Sequence, residues 1–113
     1  EDRMVGYTYM MGAGAALIGM GSACTDAQVA MTDAWFRGDY VKFVPESAKV
    51  DAYSEVTFAK PLNRYIIRML WSLVAESIIP EEAANDPMGL AISKEEIALI
   101  KHTIAANGWL HGR

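Results

Sequence analysis

A single cysteine, Cys24, and two histidines, His102 and His111, are all that 113 residues offer for soft-metal binding or nucleophilic catalysis. One cysteine excludes an internal disulfide and leaves the redox compartment open. The histidines stand nine residues apart, with no Cys or carboxylate at ligand spacing beside them, so no metal is expected. A histidine late in a helix is better explained as a cation suited to the C-terminal dipole. Gly12-Ala13-Gly14 followed by Gly19 lacks both the spacing and the preceding strand of a dinucleotide loop. Motifs of the serine or cysteine nucleophile kind are missing too. Glu81-Glu82 and Glu95-Glu96 suit helix starts, where acids oppose the dipole. Cys24 itself reads as a small apolar filler. The chain is therefore expected to be no enzyme, with no catalytic residue, no cofactor and no small-molecule substrate.

Basic excess is also lacking. The net charge is −4, and nine Lys or Arg face twelve Asp or Glu beyond residue 24. Without a basic stripe the electrostatic footprint of nucleic-acid binding is absent. The length leaves room for one domain at most.

The most informative lack is local. Residues 4–24 run for 21 positions without a charged side chain, about the length a helix needs to cross a bilayer's hydrocarbon. Five glycines interrupt the run, and Val5, Leu17 and Ile18 are its only strong membrane formers. As a helix it would place Thr8, Gly12 and Ala16 on one small-residue line and Ala15, Gly19 and Ala23 on another. Such lines let helices approach closely in lipid, and Tyr7 and Tyr9 would sit at the belt near one end. These six small residues are the expected helix-packing interface. A tightly packed soluble segment is the opposing reading, since each Gly costs up to about 1 kcal/mol in a helix. An export signal is the third: Ser22-Ala23-Cys24 is similar to a bacterial lipoprotein site, but Glu1-Asp2-Arg3 is a poor basic start. Arg3, Tyr7 and Tyr9 before the Gly/Ala run are similar to the N-terminal anchor of Rieske iron–sulfur proteins. That cluster needs two Cys and two His, so the single cysteine excludes its function.

Beyond residue 24, Thr25-Asp26-Ala27-Gln28 has the form of a capping box, predicting a helix from about 26 to 37 with a stop near Gly38. Residues 38–60 read as irregular: Tyr40 to Val44 make a short extended piece stopped by Pro45, and the whole is expected as an extended middle arm, the alternative being a loop with a helical turn packed on its own domain. Pro61 suits a first helical position. Leu62, Ile66, Met69, Leu70, Leu73, Val74 and Ile78 then recur at helical steps, with Arg64, Arg68, Ser72 and Glu76 at the other positions. Tyr65, Trp71 and Trp109 are expected as partner or core anchors. Ser93-Lys94-Glu95-Glu96 is a full capping box with Ile92 and Ile97 as its staple. Asn107-Gly108 supplies the stop, with Trp109 folding back on Ile104, so 94–107 is predicted helical.

The expected protein is mostly α: a membrane-embedded helix over 1–24 and a helical extramembrane region over 25–113. Its expected role is that of a non-catalytic accessory subunit, single-pass, held among the other subunits of a membrane complex in the lipid bilayer. By analogy the setting would be a respiratory or photosynthetic electron-transport complex of the mitochondrial inner or thylakoid membrane. The alternative is a soluble helical protein-binding module, such as an inhibitor, adaptor or immunity-type protein.

Overall fold

A computed structural model describes residues 2–110; His111 lies outside them. It is mostly α, as expected, with no strand among the described residues. Five α-helices carry it: α1 (Val5–Met10), α2 (Thr25–Phe36), α3 (Tyr40–Thr57), α4 (Tyr65–Ala75) and α5 (Lys94–Ala106). Helix α3 packs against α2 on one side and α5 on the other, and α5 also covers α4. The thinnest dimension is 19 Å, about two helices thick, so every helix keeps one face near solvent.

The expected N-terminal span does not form. After the six residues of α1 the chain turns at Met11 and Gly12, runs without helix through residues 13–18, and makes a 3-10 turn at Gly19–Ser22. No helix among the described residues is long and apolar enough to cross a membrane. Gly12 permits the break: it sits at φ +105, a region that Gly reaches freely and that ends a helix. Val5, Tyr9, Met20, Ala23 and Cys24 join the core formed with Phe43, Val50, Tyr53, Ile100, Ile104 and Trp109. Residues on both sides of position 24 therefore share one core.

The second correction is the middle arm. Residues 40–57 form α3, the longest helix, with Pro45 inside it. Asp39 caps its start, its carboxylate accepting from the Lys42 amide at 3.2 Å. Proline removes the bond to the carbonyl four residues back, here that of Val41 on the exposed first turn. The buried row is Phe43, Val50, Ser54 and Thr57 with Tyr53 beside it. Two of its members are hydroxyls, which hides the period from a count of apolar residues. Both are satisfied by their own helix, Ser54 donating to Asp51 O and Thr57 to Tyr53 O.

Helix α4 buries two residues from outside the expected apolar stripe, together with Ile67 and the stripe's own Met69. Arg68 and Ser72 are fully buried, whereas Ile66 and the preceding Leu62 stay exposed. Arg68 Nη1 donates to the carbonyls of Ala59 at 2.6 Å, Pro61 at 3.2 Å and Thr57 at 3.4 Å. Its Nη2 meets Glu96 Oε1 at 3.1 Å. One guanidinium thus ties the α3–α4 connection to the start of α5. Pro61 precedes a 3-10 turn, Leu62–Arg64, and α4 follows.

The last helix forms as its cues require. Ser93 Oγ accepts from the Glu96 amide at 3.1 Å and Glu96 returns the bond to the Ser93 amide. Its end is a Schellman motif: Gly108 at φ +74, the Gly108 amide on Ala105 O and the Trp109 amide on Ile104 O. Helix α2 ends the same way at Gly38, but its expected capping box is unused. Thr25 Oγ1 instead donates to Gly21 O at 2.7 Å, and Gln28 Nε2 to Met20 O and Ala23 O.

Candidate functional site

Two places qualify by chemistry or by exposure: a buried polar cluster around Cys24, and the surface of the first 44 residues. The first is built where the 3-10 turn Gly19–Ser22 enters α2. Cys24 lies in the left-handed region at φ 51, which costs a non-glycine residue about 1–2 kcal/mol. Its amide donates to Glu76 Oε2 at 2.7 Å, anchoring the residue against the end of α4. Burial, and then the negative charge of Glu76, push the thiol up to about 12, while a hydrogen bond with Tyr53 works the other way. Burial, first, and then the neighbouring Cys24 push the Tyr53 hydroxyl up as well, against a hydrogen bond with Ser72. A reactive cysteine needs its thiolate. This thiol is held protonated at neutral pH by its surroundings. No group of three or more His, Cys, Asp or Glu that would hold a metal exists among the described residues. The cluster ties the entry of α2 to the end of α4.

The second place is the outer surface of α1, the loop 11–18 and the outer faces of α2 and α3. Ten of the sixteen large apolar side chains exposed among the described residues fall between Met4 and Val44. Leu17 is fully exposed, and Met11 and Val41 are 87% and 90% exposed. Helix α1 lies between two hollows. One, of about 280 Å³, separates α1 from α3 and is lined by Met4, Tyr7, Met10 and Val44. The other, of about 560 Å³, runs between the loop and α2 under Leu17, Ile18, Val29 and Phe36. Tyr9 closes the wall between them, its ring edge-on to Phe36 at 5.4 Å and its hydroxyl 2.9 Å from Thr32 Oγ1. Within the loop, the amides of residues 14–17 have no hydrogen-bond partner among the described residues. Charge enters with α2 and α3: Arg37 pairs with Asp33 at 3.8 Å and Arg3 with Asp51 at 3.3 Å, and Asp26, Asp39 and Lys42 are exposed beside them.

The expected interface residues scatter over this region, because no helix joins them. Thr8 is in α1, its hydroxyl bonded to Met4 O at 2.8 Å. Gly12, Ala15 and Ala16 are exposed on the loop. Gly19 begins the 3-10 turn, where any Cβ would collide with the Tyr65 hydroxyl. Ala23 is fully buried. Of the three anchors, Tyr65 stacks on Phe58 at 4.5 Å and Trp71 lies under Lys101 Nζ at 5.3 Å. Trp109 is buried edge-on against Tyr53 at 5.5 Å. The exposed side chains of α2 and α3, above all Phe36, Val41 and Val44, were outside the expected site. Their one sequence signal was an apolar excess next to charge-poor residues 40–45.

The chain matches no protein-family model, no curated protein and no solved structure.

Proposed function

We propose that this chain is a non-catalytic helical interaction module whose working surface is the N-terminal face, rich in exposed apolar side chains. The observation that carries the reading is the concentration of exposed apolar side chains on that face, around two hollows whose only charged lining residues are Arg3, Asp51 and Asp33. An exposed apolar patch of this extent is unfavourable in water unless a partner covers it. The buried state of Cys24 supports the non-catalytic half of the reading, since the one sulfur nucleophile is held protonated.

The test is the size of the native particle. In extracts of the source cells the protein should migrate well above its 12.4 kDa, and Met11→Glu with Val41→Glu should return it to monomer size. A wild-type chain that migrates as a bare monomer refutes the reading.

Attachment to a membrane complex as an accessory subunit is a second reading, favoured by the 21-residue charge-free run. On this fold it would be peripheral attachment, and an organellar electron-transport setting rests on analogy alone. Carbonate washing separates the two readings: a membrane subunit sediments with the vesicles, and a module bound to a soluble partner does not.

A further inference from the structure

We infer that the occupant of the N-terminal face is a second copy of this chain, paired about a two-fold axis through the 11–18 loop. The inference rests on the interaction-module reading and names its partner. Area comes first. A large side chain that is half exposed shows on the order of 100 Å². Ten of them between Met4 and Val44 amount to roughly 1,000 Å², more than the ~300–600 Å² patch of an ordinary monomer. That is about what each partner gives to a standard interface, ~800 Å².

Charge decides in favour of a copy. In a two-fold interface the same patch meets itself, so any net charge inside it would repel its image. Residues 4–24 hold no charge; beside them Arg37 pairs with Asp33 and Arg3 with Asp51 within each copy, and the exposed Asp39 and Lys42 add one charge of each sign, so no net charge of one sign faces its image. The backbone decides between protein and lipid. The amides of residues 14–17 have no partner among the described residues. Hydrocarbon cannot satisfy them, whereas the backbone of another chain can. Shape agrees: the hollow of about 560 Å³ beside α2 is open, with Leu17, Ile18, Val29 and Phe36 among its walls and Thr32 and Asp33 between them, and has room for the Met11 and Leu17 side chains of the copy.

Sedimentation equilibrium of the purified full chain, from low to high micromolar, tests this. The expected result is a mass of two copies, twice 12.4 kDa, falling to one copy in Leu17→Glu and in Val41→Glu. Both side chains stand almost wholly in solvent, so circular dichroism should be unchanged in both variants. Leu99→Glu on the outer face of α5 should leave the dimer intact. A wild-type monomer at every concentration overturns the inference. So does a dimer that survives both substitutions, which places the contact elsewhere. If the chain is monomeric but Met11→Glu with Val41→Glu still dissolves the native particle, the dimer is wrong and the interaction module stands. Flotation with phosphatidylcholine vesicles by a monomeric chain overturns both in favour of a lipid surface.

Discussion

Residues 4–24 and residues 93–109 are both rich in apolar side chains, and they dispose of them in opposite ways. The C-terminal segment turns Ile100, Ile104 and Trp109 inward and leaves Lys94, Glu95 and His102 in water. The N-terminal segment sends Val5, Tyr9 and Met20 inward and keeps Met10, Met11 and Leu17 outside with no charge among them. A segment that solves its burial within the chain is scaffold. A segment that leaves it unsolved is held in place by the scaffold and finished by a partner. The price of that arrangement is an apolar face that the isolated chain must expose.

The strongest way to break the comparison is Trp109→Ala against Leu17→Ala. Removing a buried Trp costs about 3–5 kcal/mol, whereas a surface change of the second kind stays within about 0.5 kcal/mol. Urea unfolding of both variants, at a concentration below that at which copies pair, measures it. Equal losses would mean that the loop 11–18 is core after all.

Cys24 sharpens the inward side of the N-terminal segment. With the thiol raised from 9.0 to about 12, the thiolate fraction near pH 8 falls about a thousandfold. Ellman's reagent should react slowly with the native chain and rapidly in denaturant. The linkage has a definite sign: the folded thiol titrates higher than the unfolded one, so its contribution is complete below pH 9. It is lost as pH rises from 9 towards 12. Cys24→Ala should flatten that alkaline decline. Rapid native labelling would show that the segment's inner edge is open.

Next in size are the two glycines of the expected interface. Gly19→Ala drives a Cβ into the Tyr65 hydroxyl, an overpacking worth about 1–3 kcal/mol. Gly12→Ala meets open space but must hold φ +105, which costs of order 1–3 kcal/mol in a region sparse for side chains. A double change Gly19→Ala with Tyr65→Phe should recover much of the first loss and none of the second. Thermal unfolding distinguishes them.

The smallest effect is the cap. Ser93→Ala should remove about 1 kcal/mol, read as a lowered urea midpoint with unchanged slope. Thr25→Ala, at the sequence with the same capping form, should cost less, because its hydroxyl bonds Gly21 O and caps nothing.

The two capping sequences show how far local reading reaches. At Ser93 the box, the Ile92–Ile97 staple and the Gly108 stop all agree, and the helix forms between them. At Thr25 the helix forms with an unused box, because Gln28 reaches back further to close the 3-10 turn. Helix α3 was hidden by Pro45 and by Ser54 and Thr57, polar residues whose hydroxyls bond their own backbone and so bury at little cost. The candidate surface was legible only in its first half, as a charge-free run. Its second half, on α2 and α3, depends on how those helices rotate against α1.

The sequence by itself determined the helical class, the Gly38 and Gly108 stops and the C-terminal cap. These are set by hydrogen bonds and dihedral angles within a few residues. Tertiary structure alone decided that Arg68 is a buried clamp and Cys24 a shielded thiol. It also decided that residues 4–24 fold as a short helix and a loop instead of a span. Those outcomes turn on what lies across the core: three carbonyls and Glu96 for the guanidinium, Glu76 and Tyr53 for the thiol, and Phe43 and Ser47 against Gly6 in α1. No local pattern encodes a partner that is 28 residues away, as Glu96 is from Arg68, or 52, as Glu76 is from Cys24.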